Sequence, residues 1–378
     1  MNGKGASVAL GVVKSTSICR AIQQRMFSAS LKRQKTAVIP VFEKTSSSEL
    51  DDALALVREK VIVPAYLSAS QRNMIYRPRY KKLLENETMV ANIAGERIRL
   101  THVDSMTELP NTRTTFHKLL SLMVEKGDFN NMPKLLEGLH KANSAIMQDR
   151  KALRSLIGSI RRADRLDILI ECLRRSSDTG LTLRTPELAE QAMRVTYLKA
   201  FYAEWDVNHT KKALHLAEML LDLMEDPKHS YTRAIRGGTN DPRASPDIIA
   251  IPLILAATRA SKHLDGKDEE GKVEQYAERL LANWINIKPA RPGATTLQML
   301  ARKNRWLADT MYILHSTTAA LSVLNSSSDI AIRLKENSLK LKEEAKSVDM
   351  EIGSSDWGKE MLRQGPRMYQ TVYSTEAS

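Results

Sequence analysis

The side chains with most chemical potential in this 378-residue sequence are clustered bases. Arg150, Lys151, Arg154, Arg161, Arg162 and Arg165 are followed by Arg174 and Arg175, and share their stretch with Asp149, Asp164, Asp167 and Glu171. Arg154 and Arg161 are two helical turns apart, so they share one face. Such a row of cations is chemistry for phosphate. The competing reading is a solvated face laced by i,i+4 pairs such as Glu171 with Arg175. A second cluster, Arg72, Tyr76, Arg77, Arg79, Tyr80, Lys81 and Lys82, interleaves cations with aromatic rings. That composition suits phosphate contact combined with base stacking, although the two tyrosines have a second reading as anchors on the protein body. Arg291, Arg302, Lys303 and Arg305 beside Trp306 form a weaker group of the same kind.

Other chemistries lack their residues. The eight histidines are scattered, with no His-x-x-x-His pair and no neighbouring cysteine, so no metal ligation is expected. Cys19 and Cys172 are the only thiols, too few for a disulfide framework or thiolate cluster. No phosphate loop, dinucleotide fingerprint or hydrolase elbow occurs. The adjacent carboxylates Asp51-Asp52, Glu269-Glu270 and Glu343-Glu344 lie in polar surroundings and read as solvated. The expectation is a protein that is not an enzyme and uses no cofactor and no metal.

The elements that must position these bases are helical. Aromatic residues are sparse at 5%, and apolar residues recur every three or four positions from Thr112 onward. Helices are expected over 49–60, 112–123, 132–139, 152–162, 165–175, 186–205, 209–224, 247–263, 269–286, 294–323 and 327–347. Pro186 after Thr185 reads as a capped helix start. The stretch 36–48 reads as a linker, 61–83 as irregular, 227–246 as a loop and 349–378 as a mostly extended tail. Around Ala94-Gly95-Glu96 the period changes to two: Met89, Ala91 and Ile93, then Ile98, Leu100 and His102, alternate with their neighbours. This predicts a β-hairpin within 88–103, with Gly95 free to take a positive φ. The longest apolar run, Ile248 to Ala257, has ten residues and contains Pro252, too short to span a bilayer as a helix.

Residues 115–139 resemble the helix-turn-helix unit of pentatricopeptide repeats. Thr115-Phe116 stands where that family has Thr-Tyr, Gly127 and Phe129 stand at its turn, and Leu135-Leu136-Glu137 on its second helix. Residues 196–220 are similar through Thr196-Tyr197, Ala213-Leu214, Leu216 and Glu218, and 152–176 through Leu156, Leu166 and Leu169. The resemblance implies stacked helix pairs and a surface for single-stranded RNA. It places base-facing positions near His117 or Lys118, Leu153 or Arg154, and Leu198 or Lys199. Leucine offers a base no hydrogen bond, so phosphate contact or protein contact fits better than base reading. The expected fold is all-α, a helix-turn-helix repeat-like superhelix or an irregular α-bundle, with a small N-terminal β-hairpin. Its expected segments are an extension over 35–110, helix pairs over 111–226, and a C-terminal helical region over 247–348.

The first acid of the chain is Glu43, and seven bases precede it. Basic, acid-free composition resembles a mitochondrial presequence, and Arg25-Met26-Phe27-Ser28-Ala29-Ser30 resembles matrix-processing sites. Arg25, Phe27, Ser28 and Ser30 carry the motif, with cuts expected before Ser28 and before Lys35, giving a presequence over 1–34. These cuts lower the formal charge from +13 to +9 and then to +7, so the processed chain is only mildly basic. The destination is the mitochondrial matrix, at most peripheral to the inner membrane. Two partners suit such a scaffold: mitochondrial RNA or the mitochondrial ribosome, or a polypeptide of a respiratory-chain complex that the scaffold would help to assemble.

Overall fold

Polar side chains fix where the helices begin. Ser47, Ser68, Asn111, Asp149, Asp206, Thr295 and Ser328 each accept a backbone N–H from the first turn that follows, satisfying donors that the helix itself leaves free. The computed structural model describes residues 38–93, 95–229, 241–290, 293–355 and 364–374. Arg25, Phe27, Ser28 and Ser30, most of the 227–246 loop and Arg291 lie outside the described residues. All contacts given below lie within one unit, Ile39–Ser378.

Helix α1 (Ser48–Val57) runs into a π-helical turn, Arg58–Ile62, and buries Leu50, Leu54 and Val57 as their spacing predicts. The region read as irregular holds short helices instead: α2 (Val63–Tyr66), α3 (Ala69–Tyr76) and α4 (Lys81–Asn86). Prolines restart the chain twice here: Pro64 opens α2, and Pro78 opens a 3-10 turn. A reciprocal Ser68–Gln71 capping box starts α3. The hairpin follows. Strands β1 (Val90–Ile93) and β2 (Glu96–Arg99) pair antiparallel, with Ala91 opposite Ile98 and Asn92 opposite Arg97. Gly95 takes φ +91° at the turn, a backbone conformation that disfavours side chains.

The long helices then alternate between two layers. Helices α5 (Thr112–Leu122), α7 (Arg150–Arg162), α10 (Pro186–Tyr202), α12 (Pro246–His263) and α14 (Thr296–Leu321) each contact the next of this series. Helices α6 (Met132–Lys141), α8 (Leu166–Arg174) and α11 (Val207–Glu225) contact one another in sequence, as do α13 (Lys272–Ala282) and α15 (Asp329–Ser354). A four-residue helix, α9 (Ser176–Thr179), packs on α6. Within pairs, α7 also contacts α8, α10 contacts α11, α12 contacts α13 and α14 contacts α15, so these helices bury apolar residues both within the pair and against the neighbouring pair. The first three pairs start at Thr112, Arg150 and Pro186, so their starts are 38 and 36 residues apart.

Two further sequence expectations change. Residues 39–47 form a docked strap rather than a free linker. The Glu43 backbone donates to Asn131 Oδ1 at 2.7 Å, Asn131 Nδ2 returns a bond to the Glu43 carbonyl at 2.9 Å, and Ile39 is buried. The expected tail is also helical in part. Helix α15 continues to Ser354, burying Ala345 and Ile352 on the rhythm of Leu334 and Leu341, and α16 (Gln364–Ser374) packs on α14. Gly365 makes that contact possible, because a Cβ there would come within 2.6 Å of the Asn304 carbonyl.

Asp128 locks the strap to the turn between α5 and α6. Its buried carboxylate accepts from Ser46 N (2.9 Å), Ser46 Oγ (2.8 Å), Val124 N (3.1 Å) and Glu125 N (2.9 Å). Burial alone would raise its pKa, but these donors outweigh it and hold the carboxyl below the usual range. A depressed carboxylate stabilises the fold above its unfolded pKa, about 4, and that contribution is lost as pH falls through its lower folded value. Asp128→Ala should therefore cost about 2–3 kcal/mol at pH 7. Chemical denaturation at pH 7 and below pH 4 checks this, and the gap between variant and parent should narrow in acid.

Candidate nucleic-acid interface

Helix α7 presents its bases because its other face is committed to the core. Ala152, Leu153, Leu156, Ile157 and Ile160 are buried, which turns Lys151, Arg154 and Arg162 outward at helical spacing. These three side chains are exposed and make no ion pair with any described carboxylate. Among the described residues, Arg162 donates only to Ser159 Oγ, at 2.9 Å. Arg161 is partly buried and stands 5.9 Å from the ring centre of Tyr202, whose own surface is 69% exposed.

The remaining bases of this cluster have internal partners. Arg150 pairs with Glu187 on α10 at 2.8 Å. Arg165 chelates Asp167 at 2.9–3.0 Å and also donates to Asn130 Oδ1 at 3.0 Å and to the Lys126 carbonyl. It therefore ties the α5–α6 turn to α8. Arg175 pairs with Glu137 at 2.6 Å and with Glu171 at 3.5 Å, the second being the i,i+4 pair expected from sequence. Of the base-facing positions implied by the repeat resemblance, Leu153 is buried, Lys118 pairs with Glu49 at 2.8 Å, and Lys199 pairs with Asp164. Arg154 stays open.

The second cluster sits on a small unit with its own core. Leu67, Ile75, Leu84, Ala91 and Leu100 pack together apart from the main core, with Tyr76, Met89 and Ile93 at their edge. Arg72, Arg77, Arg79, Lys81 and Lys82 are exposed around this core and make no ion pair with any described carboxylate. The tyrosines are engaged. Tyr76 joins the small core, and Arg79 lies 4.6 Å over the ring of Tyr80 while donating to its hydroxyl at 2.9 Å. Both rings are thus partly covered within the unit, while the five cations stay exposed.

Sequence reasoning passed over Arg97 and Arg99. The same two-residue alternation that sends Ala91 and Ile98 inward sends Asn92, Arg97 and Arg99 to the opposite face of the hairpin. Both arginines are exposed and unpaired among the described residues. The third sequence cluster carries less open charge: Lys303 pairs with Glu351, Arg305 lies 3.8 Å from Asp309, and Trp306 Nε1 donates to the Lys288 carbonyl at 2.8 Å.

Titratable groups inside the body serve packing. His229 bridges the Leu183 N–H and the Leu173 carbonyl, and burial lowers its pKa. His315 meets Tyr197 Oη at 3.1 Å and is pushed down to about 4 by burial. Cys172 is buried and its thiol is pushed up to about 12, which leaves it unreactive at neutral pH. Arg194 joins α10 to α14 through Asp309 at 2.7 Å. Among the described residues, no group of three His, Cys, Asp or Glu side chains could hold a metal ion, and no helix is long and apolar enough to cross a membrane.

Fold and surface define a class: a helical scaffold that carries exposed, unneutralised bases. The family model described as mitochondrial ribosomal protein mS27 (Mrp13) matches residues 25–371, and the chain belongs to that family. It is also 28% identical over 340 residues to the small ribosomal subunit protein mS27 of Neurospora crassa, covering 84% of this chain and 85% of that protein. Its role in mitochondrial translation is non-catalytic.

The two kinds of base should separate by stability. Arg165→Ala breaks the tie between the α5–α6 turn and α8 and should cost about 1–2 kcal/mol. Arg154→Ala and Arg162→Ala should stay within about 0.5 kcal/mol of the parent. Urea titration of the purified variants reads both.

Proposed function

We propose that this protein is a structural component of the mitochondrial small ribosomal subunit that holds RNA by its phosphates in the matrix. One observation carries the reading: Lys151, Arg154 and Arg162 project from one helix with no described carboxylate to neutralise them. Arg161 flanks this row. Arg150 and Arg165, already held by Glu187 and Asp167, shape it from either end. Arg77, Arg79, Lys81 and Lys82 form a second contact zone. A row of cations on one helix face favours phosphate contact, which ignores sequence.

The near-even spacing of the first three helix pairs supports descent from a pentatricopeptide-like array. The basic, acid-free N-terminus supports import, and the family match begins at residue 25, beside the expected processing motif.

Two measurements test this reading. Each phosphate contact on a single strand contributes about 0.7 to the slope of log affinity against log salt. The triple variant Lys151→Ala, Arg154→Ala, Arg162→Ala should lower that slope by about 2 on single-stranded RNA; an unchanged slope would contradict it. N-terminal sequencing of the protein from purified mitochondria should find Ser28 or Lys35 first, whereas a chain starting at Met1 would remove the presequence from the account.

A further inference from the structure

The unit over residues 67–103 combines three features. It has its own core, separate from the helical body. It carries seven cations, Arg72, Arg77, Arg79, Lys81, Lys82, Arg97 and Arg99, against three acids, Glu85, Glu87 and Glu96. One of those acids is committed elsewhere: Glu96 chelates Arg58 at 2.7 and 2.8 Å, which clamps the hairpin to the first helical segment. The inner residues Ile93 and Ile98 rest against the main core. The hairpin is therefore fixed on one side and charged on the other.

We propose that this unit is a separate, sequence-independent grip for the phosphate backbone of RNA, with Arg97 and Arg99 of β2 as its principal contacts and Lys81 beside them. The inference rests on the RNA-scaffold reading and adds a second site to it, on residues outside the helix pairs. Arg97 and Arg99 project from the same side of one strand, about 7 Å apart along it, which lets each guanidinium take a different phosphate of one strand. Both are presented by a backbone held in register by four cross-strand pairs, Val90 with Arg99 through Ile93 with Glu96. Their outward neighbours are Val90 and Asn92, so no carboxylate interrupts the hairpin face.

Lys81 and Arg99 also line one groove, together with Glu85, Asp104 and Glu108. Two of those acids are engaged internally. Asp104 accepts from Met106 N at 2.9 Å and Thr107 Oγ1 at 3.0 Å, and Glu108 pairs with Lys60 at 3.1 Å. The phosphate path consequently follows the hairpin's outer face and the Lys81 rim, above the floor of the groove. An acidic polypeptide is the competing ligand for exposed arginines, and it would make binding to RNA weak and insensitive to these residues.

The test uses the full chain and poly(U) RNA, with affinity measured over a range of salt. Arg97→Gln/Arg99→Gln should lower the slope by about 1.4, and either single variant by about 0.7. Arg97→Lys/Arg99→Lys should keep the parent slope, since charge suffices for a phosphate. Circular dichroism separates lost contact from lost folding, and the single variants carry the test if the double variant unfolds. An unchanged slope in the glutamine variants, alongside a reduced slope in the α7 triple variant, would overturn the hairpin grip and leave the RNA-scaffold reading standing. Failure of the parent chain to bind poly(U) at all would overturn both.

Discussion

Burial of α12 on every side is the constraint on which the arrangement depends. Every residue from Ile248 to Thr258 is withdrawn from solvent, and a helix that is apolar all round must be enclosed by others. Helices α10, α11, α13 and α14 supply that enclosure. Their positions then fix the rest of the stack: α7 lies on α10, α5 on α7, α15 on α13 and α14, and α16 on α14. Toward the N-terminal end of the described stack, coverage thins to one apolar stripe per helix, and the opposite face of α7 is left for polar residues.

Electrostatics then distinguishes two uses of the same residue types. Arg58, Arg113, Arg150, Arg165, Arg175, Arg194 and Arg243 each meet a carboxylate across 2.6–2.9 Å. Most of these pairs join elements distant in sequence, so they reinforce the packing. Lys151, Arg154 and Arg162 of α7 and the bases of the hairpin unit have no such partner among the described residues. Unneutralised like charges repel one another and weaken the compact state slightly. A polyanion would remove that repulsion on binding, which is the physical basis of the RNA contact proposed above.

Much of the fold was legible because helical periodicity is a long-range signal. The cores of α5 to α8, the hairpin with Gly95 at its turn, and the start of α10 at Pro186 all follow from spacing and turn chemistry, although Thr185 makes no side-chain capping bond there. The strap and α16 were hidden, since each depends on tertiary contacts: Asn131 and Asp128 for the strap, close approach at Gly365 for α16. The starts of α2 and α3 carry local signals, Pro64 and the Ser68–Gln71 box, that the reading of 61–83 as irregular missed. Residue type alone gave the bases of α7 but could not tell Arg165 from Arg154. That difference lies in Asp167, two residues on, and in Asn130 and the Lys126 carbonyl, which only the fold brings near from 35 and 39 residues away. Arg97 and Arg99 were within reach of sequence, because the alternation that identifies the hairpin's inner residues also identifies its outer ones.

In the proposed reading, the bases that lack a carboxylate partner among the described residues face RNA within the mitochondrial small subunit. Ultraviolet crosslinking of intact small subunits, followed by mass spectrometry of nucleotide-bearing peptides, tests it most directly. Crosslinked peptides are expected from residues 72–99 and 150–162. Nucleotide adducts confined to other parts of the chain, with these two segments crosslinked only to protein, would contradict it.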